Sequence, residues 1–152
     1  MSESLLKTKV QKDMTDAMRA KDTARLATIR MLWSAIRQRE IDERITLDDS
    51  QVMSVIEKAI KQRRDSIEQY RAGNRADLVA SETSEMEILQ SYLPKPLSDT
   101  EIESLLKEAI AETGAASIKD MGKVMNIVKT KAQGRVDMGQ IGARIKAILG
   151  NT

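Results

Sequence analysis

Apolar residues recur along this chain at three- and four-residue spacing, the period of amphipathic helices rather than of strands. Leu6, Val10, Met14, Ala17 and Met18 mark a first helix. Asp22 is placed to cap a second, which carries Leu26, Ile29, Trp33 and Ile36 on one face and runs out near Ile41 or Asp42. Thr46 and Asp49 have the spacing of a capping box, with Asp in the place of Glu. They introduce a long helix whose stripe is Val52, Ile56, Ala59, Ile60, Arg63, Ile67 and Tyr70. Gly73 is placed to end it in a left-handed cap. A fourth helix covers about Asp77 to Tyr92, with Leu78, Ile88, Leu89 and Leu93 among its apolar residues.

The pattern then breaks at Leu93-Pro94-Lys95-Pro96, which holds both prolines of the chain. Two prolines one residue apart cannot sit inside a helix and hold the backbone extended. This is the one domain boundary the sequence offers: an N-terminal domain over 1–93, a linker over 94–96 and a C-terminal domain over 97–152. Ser98 and Glu101 form a capping box for a helix ending at Gly114. Ser117 caps the next, with Ile118, Met121, Val124, Met125 and Val128 on its apolar side and Gly134 at its end. Asp137 caps a last short helix with Ile141, Ile145, Ile148 and Leu149. The expected fold is all-α, a four-helix N-terminal lobe plus a smaller three-helix C-terminal lobe, with no internal repeat.

Composition agrees with this. Phe is absent and only Trp33, Tyr70 and Tyr92 are aromatic, so the cores are built from aliphatic residues and nine Met. There is no Cys and no His. That removes disulfides, thiolate nucleophiles, cysteine–zinc sites and the commonest general base. The plentiful carboxylates leave room for a magnesium site, but no cofactor or metal is expected. No apolar run approaches the length of a membrane span, and Met1 to Lys12 lacks a signal-peptide core. A cytoplasmic protein without a membrane partner is expected.

Net charge is only +2 but is unevenly spread. Residues 1–93 are balanced, residues 94–116 carry a net −3, and residues 117–152 carry seven basic and two acidic side chains, a net +5. The basic tail points to an anionic partner. Lys119, Lys123, Lys129, Lys131, Arg135, Arg144 and Lys146 are its cations. Gly134 permits a tight turn from which Arg135 projects, beside a helix start whose free N–H groups favour phosphate. The structural alternative is a solvated basic face with a helix-ending glycine. No aromatic residue follows Tyr92, so the tail lacks the rings on which single strands stack. An RNA partner would be read through the backbone and shape of a folded molecule, and no DNA partner is expected.

Five stretches carry a further signal: Arg25-Leu26-Ala27-Thr28-Ile29-Arg30-Met31-Leu32, Lys61-Gln62-Arg63-Arg64-Asp65-Ser66-Ile67, Glu87-Ile88-Leu89-Gln90-Ser91-Tyr92-Leu93-Pro94, Lys119-Asp120-Met121-Gly122-Lys123-Val124-Met125 and Gly134-Arg135-Val136-Asp137. In order and spacing they resemble the GatB/YqeY family, and specifically its short stand-alone YqeY-like members. Val136 departs from the small residue usual after Gly-Arg. The resemblance implies a helical lobe followed by a three-helix lobe, similar to the tail of the B subunit of glutamyl-/aspartyl-tRNA amidotransferase. That tail contacts tRNA, and the catalytic part of the subunit has no counterpart here. The implied partner is tRNA or a tRNA-processing protein complex, with Lys119, Lys123, Lys129, Lys131, Gly134 and Arg135 as the candidate RNA-binding residues.

Gly122 lies inside a predicted helix, where Gly costs up to about 1 kcal/mol against Ala. A close helix–helix crossing or the close approach of an RNA backbone would offset that. Lys61, Arg63 and Arg64 form a basic cluster, but Glu57–Lys61, Lys61–Asp65 and Arg64–Glu68 are four-residue pairs and read as a salt-bridged surface. Arg63, on the apolar stripe, and Arg30, beside one, are placed to reach a carboxylate across the lobe. Trp33 reads as core. No catalytic residues emerge: Asp48 with Asp49 and Glu85 with Glu87 do not share a helix face, and no phosphate loop or Ser–base pair is present. The favoured expectation is a non-catalytic accessory protein that binds tRNA or joins a tRNA amidotransferase. The alternatives are a component with carbon–nitrogen ligase activity, using glutamine as amide donor in tRNA-dependent amidation, and a protein-interaction adaptor without RNA.

Overall fold

The computed structural model describes residues 4–150, so Met1–Glu3 of the N-terminal stretch and residues 151–152 of the C-terminal domain lie outside the described residues. The fold is all-α. Its helices are α1 (Leu5–Arg19), α2 (Thr23–Glu43), α3 (Asp49–Ala72), α4 (Ala76–Gln90), α5 (Asp99–Thr113), α6 (Met121–Ala132) and α7 (Met138–Gly150), with a 3-10 turn over Ile118–Asp120 running into α6. The chain divides between Leu93 and Pro94 into two compact units.

In the first unit, α3 and α4 form an antiparallel pair against which α1 and α2 pack. Ile29, Leu32 and Ile36 of α2 meet Val52, Ile56 and Ile60 of α3 in a closed core that also takes Leu89 and Tyr92. Burying each such aliphatic side chain contributes roughly 1.5–3 kcal/mol. Trp33 is half-buried at the edge of this core, with the Lys7 ammonium 5.7 Å from its ring centre.

The helix ends follow local chemistry with four corrections. The cap of α3 is Asp48, not Thr46: its carboxylate accepts from the Gln51 N–H at 2.8 Å while the Gln51 side chain accepts from the Asp48 N–H at 3.0 Å. Asp49 instead reaches α1, accepting from the Leu6 N–H at 3.1 Å and from the Ser4 hydroxyl. Gly73 is not left-handed, with φ −88°; the left-handed residue is Asn74, with φ 56°. Asn tolerates that region because its short amide bonds locally. Helix α2 runs on to Glu43, and Arg44 takes the left-handed cap.

Helix α4 ends at Gln90 rather than at Tyr92. Its last N–H groups, from Tyr92 and Leu93, turn to carbonyls three residues back, Leu89 and Gln90. That tightening swings Tyr92 inward, where its hydroxyl donates to Asp13 of α1 at 2.8 Å. Burial first, then the bond to Asp13, pushes the phenol well above its usual range, so Tyr92 stays a donor.

The second unit closes around Leu106 and Ala109 of α5, Val124 and Val128 of α6 and Ile141, Ile145 and Leu149 of α7. The Ser98–Glu101 capping box forms as the sequence predicts. Ile118 and Ile148, expected on apolar faces, stay about half exposed, at 46% and 43%. Ile118 sits on the 3-10 turn, which rotates it off the face that α6 presents to the core.

Candidate nucleic-acid interface

The basic residues of the second unit separate into two groups. Three are committed within the fold. Lys131 pairs with Glu112 of α5 at 3.1 Å. Arg144 lies 3.7 Å from Asp99. Arg135 donates from Nε to the Lys95 carbonyl at 2.8 Å, while its own carbonyl accepts from the Leu97 N–H at 2.9 Å. Gly134 makes this possible. It is buried and has φ 80°, a conformation that suits glycine, and it turns the chain so that Arg135 holds the segment 95–97 against the end of α6. The Gly134–Arg135 turn therefore has a structural task. The start of α7 beside it is occupied as well, because Asp137 accepts from the Gly139 N–H at 2.9 Å. A carboxylate stands where the sequence reading set a phosphate.

The second group is Lys119, Lys123, Lys129 and Lys146, all exposed. Among the described residues none of them is in an ion pair. Lys123 and Lys129 project from the outer side of α6 together with Asn126 and Thr130, and Lys119 continues the row on the 3-10 turn. The nearest acid, Asp120, is turned back: its carboxylate accepts from the Ala116 and Ser117 N–H groups at 3.0 and 3.4 Å. Those two bonds, aided by the Lys123 charge, hold its pKa below the ordinary value. The outer face of α6 is thus basic and amide-bearing, with the Asp120 carboxylate directed away from it.

Gly122 lies on the same face. A Cβ added there would meet no heavy atom within 4 Å, and the residue is exposed. Among the described residues no helix crosses at this point, so a close helix–helix crossing does not account for the glycine. Gly122 is the second residue of α6 rather than a mid-helix residue as the sequence predicts, so the cost of an interior helical glycine does not apply in full there.

The first unit offers a different kind of cation. Arg63 reaches across from α3 to Glu85 and Glu82 of α4, at 3.0 and 3.4 Å, as its place on the apolar stripe predicts. Arg30 remains exposed. Glu68 is taken by Arg71 three residues on. A residue the sequence reading passed over is Glu40, 6% exposed. Lys7 Nζ donates to both its oxygens at 2.9 and 2.8 Å, Arg37 donates at 2.7 Å and the Leu47 N–H at 3.0 Å. The signal was present: Glu40 continues the Ile29, Leu32, Ile36 stripe at the next helical step. Beside it lies a shallow groove lined by Arg37, Ile41, Arg44, Ile45, Thr46 and Gln51. Among the described residues no three acidic side chains converge as a metal site, and no helix is long and apolar enough to cross a membrane.

A family model described as Yqey-like protein matches residues 7–149, nearly the whole chain. The chain belongs to the YqeY-like family. Three curated relatives share one name, "Altered inheritance of mitochondria protein 41, mitochondrial". The protein from Lachancea thermotolerans is 36% identical over 90% of this chain and 76% of its own length. That from Pyrenophora tritici-repentis is 32% identical over 97% of this chain and 83% of its own. That from Vanderwaltozyma polyspora is 35% identical over 74% of this chain, and the match spans 64% of that relative's length. These names correct the cytoplasmic expectation. It rested on the lack of a secretory core and of a membrane span, and neither bears on mitochondrial import, whose addresses are amphipathic rather than apolar.

Proposed function

We propose that this YqeY-like protein is a non-catalytic accessory protein that binds folded tRNA through the outer face of α6. The observation that carries the reading is the row of Lys119, Lys123 and Lys129, exposed and, among the described residues, without ion-pair partners, on a face from which the Asp120 carboxylate is turned away. Phosphate contacts supply affinity on such a face, and the Asn126 side-chain amide adds a neutral donor to the same row, the Thr130 hydroxyl being spent on the Asn126 carbonyl. Folded RNA is favoured over a single strand because no aromatic ring follows Tyr92. The resemblance to a tRNA-contacting tail names the class of RNA. Lys131 lends support from the side: its exposed ion pair is worth under about 1 kcal/mol and releases the ammonium to a phosphate at little cost. Gly134 and Arg135 shape the turn behind the face.

The test is a filter-binding titration with folded tRNA and with a single-stranded oligomer of equal length, at two salt concentrations. tRNA is expected to bind more tightly and to weaken steeply with salt. Lys123→Ala should lower the salt slope by about one for every tRNA alike. Arg135→Ala should lower the slope less than Lys123→Ala, because Arg135 Nε is held on the Lys95 carbonyl although the guanidinium keeps its charge. Equal affinity for both RNAs would reduce the interaction to general charge attraction. No binding at low salt would remove the RNA reading in favour of an adaptor that contacts protein.

A further inference from the structure

Two large aliphatic side chains stand exposed where α2 ends and turns towards α3: Ile41 at 61% and Ile45 at 40%. They line the shallow groove beside Glu40 together with Arg37, Arg44, Thr46 and Gln51. We infer that this groove docks an acidic amphipathic helix of a partner protein, with aliphatic side chains of that helix on Ile41 and Ile45 and its carboxylates on Arg37 and Arg44. The inference concerns the first unit alone and does not depend on the reading of α6.

Charge complementarity carries it. Glu40, which also lines the groove, is already neutralised, because Lys7 and Arg37 both donate to it. Arg37 uses one N–H group there, keeps about half of its side chain in solvent and has further donors to offer. The Arg44 side chain is exposed and, among the described residues, enters no ion pair or hydrogen bond. The neighbouring acids are engaged elsewhere. Asp42 accepts from Gln38 and Glu43 pairs with Arg39, each one turn back on other sides of α2. Asp48 caps α3, and Asp49 holds Ser4 and Leu6. The groove therefore presents two aliphatic and two cationic side chains over a satisfied carboxylate.

Spacing names the shape of the occupant. Arg37, Ile41 and Arg44 follow one another at steps of four and three residues, so cation, aliphatic and cation share one face of α2 over about 10 Å. A helix laid alongside offers the matching order when it carries Glu at positions i and i+7 and Leu at i+3 and i+4. Arginine suits the contact, because its planar guanidinium takes a carboxylate through two N–H groups at once. RNA would meet the arginines but has no aliphatic surface to set on Ile41 and Ile45. Arg44 also separates docking from folding. Its backbone is left-handed, with φ 56°, a conformation that glycine adopts without cost and arginine does not. Arg44→Gly should therefore raise the thermal midpoint by a few degrees while it removes the docking cation.

The probe is a synthetic helical peptide with that Glu and Leu spacing. Two controls accompany it, one with Lys for both Glu and one with Ser for both Leu. Each is titrated into the full-length wild type, Arg44→Gly and Ile41→Ser, followed by backbone amide NMR shifts, with melting curves of all three proteins. The acidic Leu peptide should bind saturably, shift amides within residues 37–46 and bind more tightly than either control. Arg44→Gly and Ile41→Ser should each weaken it by about tenfold or more. Arg44→Gly should melt above wild type and Ile41→Ser close to it. No saturable shift at millimolar peptide, equal binding of the Lys control, or shifts confined to other residues overturns the inference. So does sedimentation showing a wild-type dimer that Ile41→Ser dissolves, which would give the groove to a second copy of the chain. Displacement of the peptide by folded tRNA, with weaker tRNA binding in Arg44→Gly, would assign the arginines to RNA and overturn it as well.

Discussion

Replacing Glu40 with alanine is expected to destabilise the first unit by about 3 kcal/mol, the scale for removing one member of a buried ion pair. The carboxylate is 6% exposed and joins three parts of the chain: Lys7 of α1, Arg37 of its own helix, and the Leu47 N–H between α2 and α3. Leu47 is fully buried, so its N–H loses an acceptor with no water to replace it. Arg37 is half exposed and Lys7 partly so, and both can turn to solvent, which keeps the loss below the upper end of the range. Urea denaturation followed by circular dichroism measures it. A loss under about 0.5 kcal/mol would show the cluster to be no more than a surface pair.

The same residue gives the first unit an acid sensitivity of definite sign. Burial pushes the Glu40 carboxyl up, but the bonds from Lys7, the Leu47 N–H and Arg37 outweigh it, and its pKa falls below the ordinary 4.5. A carboxyl with a depressed folded pKa binds fewer protons folded than unfolded. Its contribution is complete above the unfolded value and is lost as pH falls through the folded one. Wild type and Glu40→Gln should therefore differ most near neutrality and converge below about pH 4. A gap that stays constant down to pH 3 would place the stabilisation outside the ionised carboxylate.

What was legible in the sequence was local. The stripes Ile29–Leu32–Ile36 and Val52–Ile56–Ile60 lie in the core where their spacing sets them, because helical periodicity needs only neighbours along the chain. Asp22 and Ser98 cap as expected for the same reason. The misread cap shows the limit. Thr46/Asp49 and Asp48/Gln51 have equal spacing, and the choice between them is made by Ser4 and Leu6, more than forty residues away, which claim Asp49. Charge behaves likewise. Seven cations count alike in a tail of net +5, yet Lys131 is held by Glu112 and Arg135 by the Lys95 carbonyl, partners 19 and 40 residues distant. Gly122 differs in kind: the helix expected from Ser117 begins only at Met121 after a 3-10 turn, so the glycine expected mid-helix lies in the first turn.

Replacing Ile145 with alanine is expected to open the second unit while leaving the first intact. Ile145 is fully buried at the middle of α7, among Leu106, Val124, Val128 and Ile141. Truncating such a side chain costs about 2–5 kcal/mol, the lost transfer energy plus the cavity left behind. A unit of some sixty residues has only about 3–9 kcal/mol in total and buries a smaller share of its surface than a larger domain. One substitution therefore removes a large part of its stability. The full-length variant is to be followed by hydrogen exchange resolved by peptide. Amides of α5, α6 and α7 should lose protection by at least an order of magnitude, while those of α1 to α4 keep theirs. Equal loss in both sets would show that the chain unfolds as one body and that the break at Leu93–Pro94 does not separate two cooperative units. The same variant bears on binding. If folded tRNA is held on the outer face of α6, its affinity should fall with the protection of that helix, because the row of lysines exists as a row only while α6 is packed on Val124 and Val128. An affinity that survives the loss of α6 protection would move the contact to the first unit or to unstructured charge.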